Sequence, residues 1–261
     1  MQLLTRTLSA EATESLLDRT VGDLVVERPG RARVFERLGI DFCCGGRKRL
    51  RQACRDRRVD PYDAVLRLEI DDERVRPADP AAEPDWSTAP LADLADHIER
   101  AHHNYLRAEL PRLDRLTAKV VHAHGGRRPE LAALRDAVLA LREELEPHME
   151  KEERVFFPLC RALEAADRDG GEVPRSPCGT SAAGPVDVLT HEHDAAGDLL
   201  ARIRQLADDF VPPPDACNTY RAMLDALAGL EADMHQHVHK ENNILFPRAV
   251  ALEAAVRGRA G

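Results

Sequence analysis

The chain is 261 residues long, which allows one large domain or a small domain beside a medium one. Its formal net charge of −9 argues against general nucleic-acid binding, and no run of about 20 apolar residues could span a membrane. The six cysteines are too scattered for the disulfide framework of a secreted module, and the N-terminus lacks a signal-peptide core. We therefore expect reduced thiols and a cytoplasmic protein.

The first part of the chain predicts a small helical domain. Residues 1–19 are interpreted as a polar N-terminal lead. From residue 20, the spacing of apolar residues predicts short helices up to Ile40, followed by helices over 50–57 and 61–69. The domain is expected to cover residues 20–72 and would have a marginal core on its own.

An adjacent cysteine pair, Cys43 and Cys44, precedes the turn Gly45-Gly46 in this domain. In one interpretation the two thiols are small apolar residues packed beside a turn. In the other, a nearby helix N-terminus rich in Arg and Lys lowers the thiol pKa, so that exposed thiolates exchange with another molecule. We favour the second interpretation and treat both cysteines as catalytic candidates.

Residues 73–88 are rich in proline and predict a linker, after which four long helical patterns follow. No strand-like alternation occurs in this half of the chain. The predicted fold is all-α, an up-down four-helix bundle over residues 89–256 preceded by the small domain. The core of such a bundle is a common place for a site of two metal ions. The four patterns cover residues 89–122, 129–166, 185–210 and 214–255.

Two similar passages in the bundle carry the chemistry. His148 is followed by Glu152, and His237 by Glu241, four positions later in each case, with a Phe-Pro pair further on. Residues i and i+4 share one helix face, and both pairs lie within the apolar stripe of their helix. A carboxylate in a helical core is costly unless it is paired, hydrogen-bonded or metal-bound. The simpler alternative is that the glutamates only satisfy core histidines.

Histidine clusters upstream of each passage supply further ligands. His193 continues the apolar stripe of its helix, whereas His191 does not. In the first cluster the phase is undecided, because Leu91, Ile98 and Tyr105 favour His102 while Leu106 and Leu110 favour His103. Glu144 and Asp233 each precede a candidate ligand by four residues, so they either orient an imidazole or are solvated surface charges. His122, His124, His235 and His239 are assigned no chemistry, although His124 could gate access.

With His103 included provisionally, six ligands are available, more than a structural zinc site needs, and none is a thiolate. Imidazole and carboxylate without sulfur suit iron or manganese, and two bridging carboxylates leave room for an oxo or hydroxo bridge. One coordination position would stay open. The predicted metal ligands are His103, His148, Glu152, His193, His237 and Glu241.

The bundle resembles the hemerythrin-like domains, and the whole chain resembles the di-iron proteins that repair iron-sulfur clusters, the repair of iron centres family. The resemblance places the first ligand at His103 rather than His102, and it agrees with the other five positions. The residues that carry it are Asp41-Phe42-Cys43-Cys44-Gly45-Gly46, Asp85-Trp86, Asp96-His97-Ile98, Leu110-Pro111, His148 to Glu153, Glu192-His193-Asp194, and Glu241-Asn242-Asn243 running to Leu245-Phe246-Pro247.

The resemblance implies two non-haem iron ions, a homodimer, and repair of clusters damaged by nitrosative or oxidative stress. Damaged iron-sulfur proteins would be the partners, and nitric oxide or oxygen the small ligand, with nitric oxide reduction a candidate redox activity. A hemerythrin-type oxygen or nitric oxide binding or sensing protein is the alternative. A third interpretation makes the metal a structural element of a scaffold.

Overall fold

The computed structural model describes residues 10–74, 84–171 and 181–260. Within these ranges the secondary structure is helical, apart from an isolated antiparallel bridge between Thr20 and Arg49. The prediction of an all-α fold is confirmed. The α-helices are α1 (Ala10–Asp18), α2 (Val21–Glu27), α3 (Ala32–Leu38), α4 (Leu50–Arg57), α5 (Pro61–Arg74), α6 (Leu91–Ile98), α7 (Asn104–His124), α8 (Glu130–Lys151), α9 (Phe157–Asp169), α10 (Ala183–Leu206), α11 (Asn218–Lys240) and α12 (Phe246–Ala260).

Helices α1 to α5 form a small unit around one apolar core, in which Val21, Leu24 and Phe35 are fully buried. Residues 10–18, which the sequence assigned to a polar lead, form a helix that packs on α4 and α5. Leu17 of this helix has no exposed surface, because it completes the core of the unit.

Arg31 and Asp72 form an ion pair within this unit. The guanidinium of Arg31 is 5% exposed and donates to Asp72, with an Nη2 to Oδ2 distance of 2.7 Å. Arg31 also donates to Glu27 and to the carbonyl of Leu24. All three nitrogens of the guanidinium therefore donate hydrogen bonds, which offsets the cost of burying its charge.

The bundle consists of four antiparallel rods, three of which are two α-helices joined end to end. The first rod is α6 with α7, the second α8 with α9, the third α10, and the fourth α11 with α12. Helix α7 packs on α8 and α11, α8 packs on α10, and α9 packs on α6 and α12. Two apolar clusters lie along its axis, one containing Leu106 and Leu141 and the other containing Phe156 and Phe246.

The joints inside three rods are single π-helical turns, over Glu99–His103, Glu152–Phe156 and Glu241–Leu245. Each turn contains a predicted metal ligand and lies between the two apolar clusters. A π turn holds one extra residue relative to an α-helix and occurs often at functional sites. The three joints therefore position the site.

The small unit is docked on the bundle by a polar tie. The Nδ2 group of Asn243, in the last π turn, donates to the carbonyls of Phe42 and Cys43 at 3.2 Å each. Added Cβ atoms on Gly22 and Gly46 would each lie 2.4 Å from Oδ1 of Asn243. Only glycine allows this close approach of the two backbones to the amide.

The end of the predicted linker is also attached to the bundle. Trp86 is 9% exposed and packs against the ring of His97 at 4.6 Å between centroids. Arg248 of α12 donates to the carbonyls of Trp86 and Ala89. Residues 73 and 74 of the predicted linker belong to α5, and residues 75–83 lie outside the described residues. In the described parts of the chain, no helix has both the length and the apolar character that crossing a bilayer requires.

Candidate metal centre

The structure brings all six predicted ligands together between the two apolar clusters. They form two groups of four, and the potential donor atoms of each group lie within 4.8 Å of one another. Each of the six side chains is at most 2% exposed. The first group is His103, His237, Glu152 and Glu241, and the second is His148, His193, Glu152 and Glu241.

Both glutamates belong to both groups, and each directs one oxygen to each group. Glu152 has Oε2 at 3.3 Å from Nε2 of His103 and Oε1 at 3.4 Å from Nε2 of His148. Glu241 has Oε1 at 3.0 Å from Nε2 of His237 and Oε2 at 3.2 Å from Nε2 of His193. This arrangement suits two cations that share two carboxylates.

The imidazoles face one another through Nε2. The distance is 3.2 Å between His103 and His237, and 3.0 Å between His148 and His193. Two donors bound at about 2.1 Å to one ion, at a right angle, would be about 3 Å apart. The spacing of each histidine pair is therefore that of neighbouring ligands on one ion.

The outer nitrogens of three imidazoles are held by polar partners. Nδ1 of His103 lies 2.7 Å from Glu153, Nδ1 of His148 lies 2.8 Å from Glu192, and Nδ1 of His193 lies 2.8 Å from Oδ1 of Asn242. Acceptor oxygens fix the proton on Nδ1, so the Nε2 lone pair of a neutral ring points into the centre. Lone pairs that face each other repel unless a cation lies between them.

Several buried atoms of the centre have no hydrogen-bond partner: both carboxylate oxygens of Glu152, Oε2 of Glu241 and Nδ1 of His237. A buried carboxylate without donors costs several kcal/mol or takes up a proton. These unsatisfied oxygens are the most direct structural sign that the residues of the centre fit a cation. The donor set of imidazole nitrogen and carboxylate oxygen fits a metal ion of the first transition series.

The electrostatics of the centre agree with this. Burial works against ionisation of Glu241, but His237 and His193 hold the pKa of that carboxyl well below its usual value. Burial also disfavours a charged His148, yet the negative charge of Glu152 raises the pKa of its imidazole to about 10. In the absence of metal, a proton on His148 therefore compensates Glu152, and a metal ion would displace it.

His102, the alternative that the phase left open, lies outside both groups. Its Nδ1 is 2.9 Å from Asp233, its Nε2 is 3.1 Å from Nζ of Lys240, and its ring stacks on that of His237. Lys240 also donates to Nε2 of His97 at 2.9 Å. Lys240 is 6% exposed, so it places a positive charge next to the centre.

The expected orienting residues are not those that the structure shows. Asp233 bonds to His102 instead of His237, and Glu144 is exposed. Sequence reasoning missed Glu153, Glu192 and Asn242, each of which is adjacent to a predicted ligand in the chain. A neighbouring residue on a helix points about 100° away from the ligand and can reach a histidine of the next rod. That adjacency was the available signal.

The cysteine pair lies at the boundary between the small unit and the bundle. Cys43 is 7% exposed and belongs to the core cluster of the bundle, and the thiol of Cys44 donates to the carbonyl of His193 at 3.5 Å. The hydrogen bond with Cys44, burial and the charge of Asp41 raise the pKa of Cys43 well above its usual value. The predictions of exposure and of a lowered pKa are wrong for Cys43, because the bundle covers it and no helix begins at the pair.

Four helical rods with paired His-Glu ligands in their core define the class of protein. Residues 94–249 match the Hemerythrin HHE cation binding domain, and the chain belongs to this family. Residues 17–71 match a second family, ScdA_N, described as a domain of unknown function (DUF542).

Particular relatives are similar over nearly the whole chain. The iron-sulfur cluster repair protein YtfE of Musicola paradisiaca (strain Ech703) is 35% identical over 238 residues, which cover 91% of this chain and 98% of the relative. The protein of the same name from Escherichia coli O81 (strain ED1a) is 35% identical over 236 residues, covering 90% and 98%. The resemblance found in the sequence is confirmed.

Proposed function

We propose that the chain is a non-haem di-iron protein that repairs iron-sulfur clusters damaged by nitrosative or oxidative stress. The observation that supports it most is the sharing of Glu152 and Glu241 between two groups of buried ligands. Relatives that match the chain end to end carry iron-sulfur cluster repair in their names. The six proposed ligands are His103, His148, Glu152, His193, His237 and Glu241.

The donor set supports iron over zinc. A structural zinc site is closed with four ligands, often including thiolates, whereas this centre has no sulfur. Two histidines and two carboxylate oxygens per ion leave coordination positions open. When bound, iron would supply one-electron redox chemistry and an open position for nitric oxide or oxygen. The proposal includes an oxo or hydroxo bridge between the two ions.

The residues of the chain orient the ligands and exclude water. Glu153, Glu192 and Asn242 keep the outer nitrogens of three imidazoles occupied, so that Nε2 remains available. Phe157 stacks on His103 and Phe246 stacks on His193. These rings form an apolar wall on one side of the centre, which suits a small uncharged ligand such as nitric oxide.

Repair would proceed by removal of nitric oxide from the damaged cluster, by reduction of nitric oxide, or by delivery of iron to the cluster. Damaged iron-sulfur proteins are the proposed partners, in the cytoplasm, and a homodimer is the proposed assembly. The roles of Cys43 and Cys44 in transfer or docking belong to the same proposal. Their position beside the backbone of His193 supports a route between the small unit and the centre rather than an exposed exchange site.

The test is metal analysis combined with Mössbauer spectra before and after addition of nitric oxide. We expect about two irons per chain from the two ligand groups, and a spectrum that changes with nitric oxide. The repair itself is tested with a nitrosylated iron-sulfur protein whose activity recovers on addition of the reduced wild type, but not of Glu152→Ala. Purified protein with no bound iron after reconstitution would contradict the proposal.

The same preparation distinguishes the alternative. A hemerythrin-type oxygen carrier uses five histidines, whereas the two groups here have two each. A stable and reversible oxygenated spectrum in air would favour carriage or sensing over repair. Light scattering on the loaded protein decides between monomer and dimer.

A further inference from the structure

A second group of polar side chains lies at one end of the bundle, away from the metal centre. Cys217 precedes α11, and His124 is the last residue of α7. His103 directly precedes α7, and His237 lies in the last turn of α11. With a rise of about 1.5 Å per residue, the distance along either helix is about 30 Å.

The two side chains are in contact. Nε2 of His124 lies 3.3 Å from Sγ of Cys217. The imidazole is 6% exposed, and its Nδ1 has no hydrogen-bond partner. The ring also packs against Tyr220 at 5.4 Å between centroids. The sulfur of Cys217 is thus the hydrogen-bond partner of Nε2 in this buried imidazole.

The missing partner at Nδ1 selects one form of the pair. An imidazolium would bury an unsatisfied N–H at Nδ1, which is unfavourable. A neutral ring with its proton on Nε2 can instead donate to a thiolate at Cys217. The pair therefore stabilises the ionised sulfur without a charge on the histidine.

The backbone acts in the same direction. Cys217 occupies the N-cap of the 23-residue helix α11, where the helix dipole favours negative charge. The hydrogen bond from His124, followed by the N–H groups of Tyr220 and Thr219, lowers the pKa of Cys217 below its usual value. Neither N–H makes a full capping hydrogen bond with the sulfur, so the contact with His124 is the main cause.

The other cysteines in the described part of the chain offer a contrast. Burial raises the pKa of Cys54 to about 11 and that of Cys160 to about 12. Cys43 is buried as well, and Cys44 is partly covered at the domain boundary. Cys217 is exposed. It combines access with an activating partner, which is the setting of a reactive thiol.

We propose that Cys217 is a thiol modification site that forms mixed disulfides with low-molecular-weight disulfides. The Cys217 thiolate attacks one sulfur of the disulfide, a new S–S bond forms, and the old S–S bond breaks. Its electron pair leaves with the second sulfur as a thiolate, which takes a proton from water. Cys217 is oxidised and the small disulfide is reduced, so no further reactant is needed.

The site is independent of the metal centre and of the proposed repair function. It requires only the contact between α7 and the start of α11, so it should react equally in metal-free and metal-loaded protein. Modification would place a bulky group at the N-cap of the helix whose far end carries His237. Reaction with a disulfide therefore reports on this end of the bundle alone.

The test uses oxidised glutathione as the probe and peptide mass spectrometry to read each cysteine separately, from pH 6 to 9. We compare wild type with His124→Gln and with the matched control His122→Gln, an exposed histidine on the same helix. Loss of the hydrogen bond in His124→Gln should raise the pKa of Cys217. The thiolate fraction then falls while the nucleophilicity of the thiolate rises in part, so at pH 7 we expect the reaction to slow about threefold for each unit by which the pKa of Cys217 rises. His122→Gln should behave as wild type.

Unfolded wild type in urea provides the reference for an unassisted Cys217, in case His124→Gln does not fold. The pH midpoint of the reaction should be lower in the folded protein than in urea. Equal midpoints would overturn the proposal. So would a folded His124→Gln variant that reacts at the wild-type rate.

Discussion

The contact between the small unit and the bundle should weaken in acid because of His239. This imidazole is 4% exposed and lies against Phe42 of the small unit, with ring centroids 5.5 Å apart. Its Nδ1 lies 3.1 Å from Nδ2 of Asn243, and the ring also hydrogen-bonds to the backbone of Phe42. A second proton at Nδ1 would face the amide hydrogens of Asn243.

Burial, aided by the charge of Lys240, lowers the pKa of His239 to about 4. In the unfolded chain the imidazole titrates near its usual pKa, so below that pH the unfolded state binds a proton that the folded state does not. The stabilisation is complete above the unfolded pKa and is lost as the pH falls toward the folded value. With a histidine pKa of about 6.5 unfolded, the loss is about 2 kcal/mol at pH 5 and about 3 kcal/mol at pH 4.

The measurement is urea unfolding of wild type and of His239→Gln between pH 7.5 and 4. Many other groups titrate in this range, but they are common to both proteins and cancel in the difference. We expect the stability advantage of wild type over His239→Gln to shrink by the amounts given above. The difference in unfolding free energy between wild type and the exposed-site variant His122→Gln should not change with pH. A flat difference for His239→Gln too would refute the buried, neutral imidazole and the domain contact built on it.

Further predictions concern the centre, the domain tie and the small unit. Glu152→Ala removes a ligand of both groups, so metal analysis should show that both ions are lost, whereas His148→Ala should retain about one ion. Equal metal losses in two variants with intact circular dichroism spectra would contradict the sharing of the Glu152 carboxylate. Asn243→Ala deletes the donors to two backbone carbonyls and should cost about 2 kcal/mol in urea unfolding, against little change for the exposed Asn104→Ala. Arg31→Met leaves the partly covered Asp72 with only the exposed Arg28, 3.4 Å away, as a cationic partner. The substitution should cost about 2 kcal/mol, and a loss under 0.5 kcal/mol would show that Arg28 and water replace the pair.

Much of the fold and of the candidate site could be predicted because it depends on periodicity within single helices. The apolar stripes predicted the four rods, and the repeated His-Glu pairs predicted four of the ligands. The conflict over His102 and His103 has a structural cause. Leu91 and Ile98 precede the π turn over Glu99–His103, and Leu106 follows it. The extra residue in that turn shifts the stripe by one position, so Leu91 and Ile98 indicate His102 whereas Leu106 indicates His103. Tyr105 also follows the turn, but it is only half-buried and does not mark the core face.

Features that depend on contacts between distant parts of the chain could not be predicted in this way. The burial of Cys43 is caused by the bundle, which begins about fifty residues later in the sequence. The bond from Lys240 to His97 joins two rods far apart in the chain. Periodicity describes which face of a helix is buried, but it does not tell which residues of another rod cover that face.

The three π turns have a consequence for how the bundle could change in evolution or by design. Each π turn contains one residue more than a regular α-helix of the same length would, and the buried face of the following helix is shifted by that residue. Deleting Arg154 would allow α8 and α9 to join as one regular helix, and everything after the joint would rotate by about 100° relative to what precedes it. Phe156 and Phe157 would then leave the core while His148 and Glu152 stayed in place. The length of the chain at these joints is therefore as specific to the centre as the identity of its ligands.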